Sequence, residues 1–324
     1  MGRFVDPVIA ADLEAIPFNL NLGHDSLAVS RDFRSQMAAA IELSDEVERE
    51  DHVVAGRSRW EGEGPHVKVR VYRPKGVSGT LPCVYAIHGG GYVMGSLDME
   101  DLRFDSWCRS LGVAGVSVEY RLAPEHPYPA PLEDCYAGLR WVFDNAGELQ
   151  VDPSRIGICG TSAGGGLAAG LALLARDRGE LHPAFQLLVY PMLDDRQVTP
   201  SSRWDVPIWS PGNNEFGWRS FLGDLYGTDR IPAYAAPARA EDLSGLPPAS
   251  VWVGTADGFC DEDIAYAQRL NQAGVHTELH LYPGAPHGFD AFSAKAAVSR
   301  RCRRDMQEWL RAAFGLDREQ ESAG

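Results

Sequence analysis

The 324-residue sequence has no Cys-x-x-Cys pair and no Asn-x-Ser/Thr sequon, and its six cysteines (Cys83, Cys108, Cys135, Cys159, Cys260 and Cys302) are scattered. Four of them sit in strongly apolar surroundings, as small core residues do, so neither a disulfide framework nor a zinc site is expected. No apolar run approaches the roughly 18 to 20 residues that cross a bilayer. The opening Met1-Gly2-Arg3-Phe4-Val5-Asp6-Pro7 carries no apolar leader before its first acidic residue, and a cytoplasmic location is the expectation. Positive charge is scarce: 30 Lys and Arg face 45 Asp and Glu, a net charge of −15. Such a surface repels nucleic acid and anionic lipid, and the densest basic run, Arg300-Arg301 with Arg303-Arg304, lies on a helical pattern and makes no patch. Gly-Lys-Ser/Thr and G-x-G-x-x-G are both missing, which removes the usual phosphate and dinucleotide loops.

What is present is patterned as an α/β protein. Phe33, Met37, Ala40 and Ile41 recur at helical spacing near the N-terminus. The stretch Val53 to Trp60 and the alternating Val67, Val69 and Val71 predict an antiparallel hairpin turning through Glu61 to Pro65. Apolar runs bounded by turn residues follow at Cys83 to Ile87, Val113 to Val118, Ile156 to Cys159, Phe185 to Tyr190, Val251 to Gly254 and Thr277 to Leu281. Between them lie helical stretches at Leu132 to Asn145, Ala163 to Arg178, Glu262 to Ala273 and Ala294 to Phe314. This alternation predicts a doubly wound, mostly parallel sheet with an antiparallel edge and helices on both faces. The Trp-, Pro- and Gly-rich interval after Arg196 breaks the rhythm and is too long for an ordinary connection. The organisation expected is a core of residues 51–195 and 243–316, a cap made from residues 1–50 and 196–242, and a frayed polar tail at 317–324.

The strongest local signal is Gly160-Thr161-Ser162-Ala163-Gly164-Gly165-Gly166, between a predicted strand and an Ala- and Leu-rich helix. G-x-S-x-G in that setting is a nucleophile elbow: Ser162 sits on a strained turn, and small neighbours let backbone approach without a Cβ clash. The following helix aims its N-terminal N–H groups at charge forming on a substrate. His88-Gly89-Gly90-Gly91-Tyr92 follows another predicted strand, where such a site needs N–H donors for an oxyanion. His88 precedes that loop and is expected to brace it.

A nucleophilic serine needs a base and the base an orienting acid. His287 lies in a loop beyond the last predicted strand, at the end of the sheet where α/β sites assemble. His276 and His280 alternate with apolar residues as on a solvated face, and His126 falls in a proline-rich loop. The acid should follow the strand Val251 to Gly254, which leaves Asp257 and Asp261 as candidates. The Asp261-Glu262-Asp263 run also suits the first turn of a helix on charge grounds alone. Ser162, Asp257, His287 is the chain order of an α/β-hydrolase rather than of chymotrypsin or subtilisin.

From about Val53 to Phe314 the sequence resembles the hormone-sensitive lipase branch of the α/β-hydrolases, the bacterial family IV esterases. The resemblance is carried by His88-Gly89-Gly90-Gly91, Tyr120-Arg121-Leu122-Ala123-Pro124-Glu125-His126-Pro127, Gly160-Thr161-Ser162-Ala163-Gly164-Gly165 and His287-Gly288-Phe289. It implies an eight-stranded sheet, a helical cap built from the N-terminus and an insertion after strand six, and no cofactor. It also implies Ser162 as nucleophile, His287 as base, Asp257 as acid, and the N–H groups of Gly90, Gly91 and Ala163, with Gly89 beside them, as oxyanion donors. Pairing of two copies through the edge strand Thr277 to Leu281 is a further implication. Two departures stand out: Thr161 where most members carry Asp, as in the smaller GTSAG branch, and Asp257-Gly258-Phe259 in place of Asp-Pro-Leu or Asp-Leu-Phe.

The function expected is a serine carboxylesterase for short- to medium-chain acyl esters. Related acyl hydrolases (deacetylase, lactonase or amidase) share the triad, and a non-catalytic small-ligand receptor would share the scaffold. Of the aromatic residues, Tyr92, Trp209, Phe216 and Phe289 are the expected pocket lining, while at least half of the aromatics in the inserted cap are expected to form a small core of their own.

Overall fold

A computed structural model describes residues 5–15, 21–55, 57–58, 62–63 and 66–317. Two helices, α1 (Pro7–Glu14) and α2 (Leu27–Ala39), precede the sheet. Strands β1 (Val47–Val54), β2 (Val67–Pro74) and β3 (Leu81–Ile87) lead to α3 (Asp101–Leu111) and β4 (Ala114–Glu119). Then come α4 (Ala130–Asp144), β5 (Val151–Thr161), α5 (Ala163–Arg178) and β6 (Gln186–Val189). After α6 (Pro211–Leu222), the chain returns through β7 (Ala249–Gly254), α7 (Cys260–Gln272), β8 (Thr277–Tyr282), α8 (Phe289–Phe292) and α9 (Ala297–Phe314). The eight strands lie in the order β1-β2-β4-β3-β5-β6-β7-β8, parallel from β4 to β8, with β2 antiparallel to both of its neighbours.

The sheet separates two apolar layers, and β3 shows why. Successive side chains on a strand point to opposite faces. Cys83, Tyr85 and Ile87 therefore join one buried cluster and Val84 and Ala86 the other. All seven residues of β3 are buried, which explains its continuous apolar run. The strand order reverses around β3, so the loops leaving β3 and β5 open a crevice at their C-terminal ends.

Two sequence expectations need correction. The first strand runs over Val47–Val54 rather than Val53 to Trp60, pairing from Val47 with Pro74 to Val54 with Val67. It is an outer strand whose interior residues are charged and largely exposed, so it carries no apolar alternation to read. A two-residue ribbon, Arg57–Ser58 with Gly62–Glu63, extends the hairpin, and the remainder of its expected turn lies outside the described residues. The second concerns α2, which buries Leu27 and Ser30, while Met37 of the expected apolar stripe is 43% exposed. The frayed tail expected at 317–324 lies outside the described residues except for Asp317.

The insertion between β6 and β7 packs on the glycine loop after β3. Ser210 caps α6 by accepting from the Asn213 N–H at 3.2 Å, and Pro211 opens the first turn. Asn213 in turn accepts from the Leu22 N–H at 2.9 Å, which joins the N-terminal segment to the insertion. Trp218 and Phe221 of α6 are fully buried, and Tyr92 stacks on Phe221 with ring centroids 4.0 Å apart.

Candidate active site

The turn between β5 and α5 holds Ser162 at φ 58°, a left-handed conformation that costs a non-glycine residue about 1–3 kcal/mol unless its surroundings enforce it. They do so here. The Ser162 N–H donates to Val189 O at 2.9 Å, and its carbonyl accepts from the N–H groups of Gly166 and Met192, both at 3.0 Å. Glycine is required at 160 because a Cβ there would strike the Gly164 carbonyl, so the strand could not turn so sharply into the helix.

Ser162 Oγ lies 2.8 Å from His287 Nε2, and His287 Nδ1 lies 2.8 Å from Asp257 Oδ2. All three side chains are buried. The second carboxylate oxygen of Asp257 accepts from the Phe259 N–H at 3.0 Å, which fixes the direction in which Oδ2 points. Asp261 stands elsewhere: it accepts from the Ser201 N–H at 2.7 Å, and its own N–H donates to Ser201 Oγ at 3.0 Å. The structure thus brings Asp257 to His287 and gives Asp261 to the start of the insertion. Three rings enclose the imidazole, with centroids at 4.7 Å for Tyr190, 5.0 Å for Phe259 and 6.3 Å for Trp209.

The loop after β3 faces the serine. A Cβ on Gly89 would come within 3.2 Å of Ser162 Cβ, and one on Gly91 would strike the Trp209 indole. Gly90 and Gly91 have φ of 121° and 62°, which turn the chain so that, among the described residues, no backbone carbonyl takes their N–H groups. The Ala163 N–H, at the first position of α5, likewise has no intrahelical acceptor. Such donors beside a serine are suited to a developing oxyanion. His88 is fully buried behind the loop, stacked on Tyr120 at 4.1 Å, with Nδ1 2.8 Å from Gly89 O. Burial lowers its pKa to about 4, so it stands neutral as a brace. The Tyr120 hydroxyl donates to His88 O at 3.0 Å, and Ala123 N–H donates to Tyr92 O at 2.9 Å, which accounts for the Tyr120 to Pro127 segment as support for this loop.

Of the expected pocket residues, Trp209 borders the site and Phe216 is partly exposed, edge-on to His24 at 5.4 Å. Tyr92 and Phe289 are buried in the core instead; the Tyr92 hydroxyl donates to Met192 O at 3.0 Å, and Phe289 packs against Tyr190 and Tyr282. Sequence reasoning missed a polar layer behind the elbow. Arg103 donates to Glu100 at 2.8 Å and to Thr161 Oγ1 at 2.9 Å, beneath Ser162. Beside it, burial pushes the Cys159 thiol up to about 12 and keeps it protonated. The Tyr190 hydroxyl donates to Asp290 at 2.7 Å, tying β6 to the loop that carries His287. The only forewarning was Thr161 itself, a departure from the pattern the resemblance implied.

A serine on a strand-to-helix elbow, with a histidine and an aspartate from the ends of later strands of one sheet, defines an α/β-hydrolase. A family described as alpha/beta hydrolase fold matches residues 84–291. Carboxylesterase NlhH of Mycobacterium tuberculosis is 38% identical over 293 residues, spanning 89% of this chain and 90% of its own length. Esterase LipI of the same organism is 36% identical, with 89% of each chain covered. Among solved structures, a bacterial heroin esterase superposes with a TM-score of 0.90 at 39% identity over 96% of this chain and 98% of its own. Esterase LipW from Mycobacterium marinum gives 0.84 at 37% identity, with 96% of each chain covered. The chain belongs to the alpha/beta hydrolase fold family, in its hormone-sensitive-lipase-like branch of bacterial esterases.

Proposed function

We propose that this carboxylic ester hydrolase works as a serine esterase on small and medium acyl esters through an acyl-enzyme. The observation that carries the reading is the unbroken 2.8 Å and 2.8 Å chain from Ser162 Oγ through His287 to Asp257. His287 Nε2 takes the Ser162 proton as Oγ attacks the ester carbonyl carbon. The Gly90, Gly91 and Ala163 N–H groups hold the negative oxygen of the tetrahedral intermediate. When the carbon–oxygen bond to the alcohol breaks, His287 returns the proton to the leaving oxygen. Water, deprotonated by the same nitrogen, then releases the acid and restores Ser162. Asp257 stabilises the imidazolium that forms and keeps the Nδ1 proton on its own side of the ring. Enclosure by Trp209 and the inserted cap supports modest substrates over emulsified triglyceride.

Replacing Ser162 with Ala should lower kcat for p-nitrophenyl butyrate by about a millionfold, and a fluorophosphonate should label the parent chain and not the variant. Hydrolysis at the parent rate by the variant would remove Ser162 from the mechanism.

A further inference from the structure

Two arginines one helical turn apart on α2 have opposite surroundings. Arg31 is fully engaged: Nε donates to Val93 O, and its two terminal nitrogens reach Glu125 at 2.7 and 2.8 Å, one of them also Ala123 O. Arg34 has none of this. Among the described residues no carboxylate pairs with it and no carbonyl accepts from it. Its guanidinium carbon sits 5.2 Å from the centroid of Phe292. The Phe292 ring lies 2.9 Å from where a Gly288 Cβ would stand, next in sequence to His287. Tyr190, whose ring contacts His287, is also within electrostatic reach of Arg34. Asp290, the acid nearest in sequence to Phe292, accepts from the Tyr190 hydroxyl. Arg34 is half-buried, and its partial loss of water lowers the guanidinium pKa, with no counter-ion among the described residues to offset it. In a molecule of net charge −15, leaving one arginine uncompensated beside the site is a departure from the general field.

We propose that Arg34 receives an anionic group of the substrate, so that the favoured esters carry a free carboxylate in addition to the ester bond. The inference rests on the serine-esterase reading above. A planar guanidinium matches a carboxylate in a bidentate pair, and an arginine with no ion-pair partner among the described residues is available to make one.

The test compares matched esters: monoethyl succinate against diethyl succinate for an anion on the acyl side, and O-acetylglycolate against its methyl ester for an anion on the alcohol side. The parent enzyme should favour the charged member of at least one pair in kcat/KM. In Arg34→Met, which keeps the chain length over Phe292, that preference should fall by about 10- to 100-fold, mostly through KM, with the neutral member nearly unchanged. Arg34→Lys should restore part of it, and added salt should erode it in the parent. Equal losses on charged and neutral members would assign Arg34 to structure alone, and no preference in either pair would overturn the proposal. If the parent hydrolyses none of the four while fluorophosphonate fails to label Ser162, the esterase reading has failed instead.

Discussion

Ser162 is reactive only while its backbone stays in a conformation it would not choose, and Thr161 is the residue immediately before that strain. Thr161 Oγ1 accepts from Arg103, which is itself anchored by the buried Glu100 carboxylate. The hydroxyl thus fixes one end of the strained peptide to an arginine with little freedom. Thr161→Val keeps the shape and deletes the acceptor. It should lower kcat for p-nitrophenyl butyrate by about 10- to 100-fold, the scale of an ångström-sized misplacement, with KM within twofold, while Thr161→Ser retains most of the rate. Steady-state kinetics on variants of matched melting temperature decide it; a rise in KM alone would place Thr161 in binding. Here the sequence marks an odd residue but not its meaning. Thr161 is visible as a departure, yet its partner lies 58 positions away on α3, in a stretch with no chemical motif.

At the scale of elements, legibility follows burial. The buried strands β3, β4, β6 and β7, residues 156–159 of β5 and helix α5 announce themselves because both faces, or nearly all positions, are apolar. Strand β1 and helix α2 are laid on the surface of the core, and polar, remote contacts help to place them, so periodicity misplaces β1 and finds α2 as a helix but not the face it buries. The Arg31 to Glu125 pair shows the kind of contact involved: it joins α2 to the loop that supports Gly89 to Gly91. The hydrogen bonds from Arg31 hold the Glu125 pKa down to about 2. Because this folded value lies below the ordinary carboxylate value, the pair's stabilisation is present above roughly pH 4.5 and is lost as pH falls towards 2. Glu125 is 53% exposed, so solvent screening limits the contribution to about 1 kcal/mol or less. Hydrogen exchange should therefore show α2 opening more readily at pH 3 than at pH 6, and Glu125→Gln should remove most of that difference. An α2 whose protection is the same at both pH values would mean the pair does not hold it.

For the whole molecule, a net charge of −15 says nothing about where the carboxylates lie, and several of them are buried, Glu262 and Asp263 among them. Glu262 and Asp263 lie in the first turn of α7, as their charge suggested, yet they are 3% and 0% exposed. Glu262 is partly satisfied, with one oxygen accepting from the Leu193 and Asp194 N–H groups at 2.9 and 3.2 Å. Among the described residues, neither Asp263 oxygen has a hydrogen-bond partner. Burial pushes the Asp263 carboxyl well above its usual range, with Glu262 and Asp257 adding to the effect. A carboxyl in this state keeps its proton in the folded chain and loses it in the unfolded one. Between the ordinary carboxyl pKa and the raised folded value, the native state binds more protons, so stability declines as pH rises through that window. Asp263→Asn cannot ionise in either state. Calorimetry should show that the fall in melting temperature from pH 5 to pH 8 is smaller in Asp263→Asn than in the parent chain, whatever the offset between them. Equal falls would mean that Asp263 is already ionised in the folded protein, and that a counter-charge reaches it.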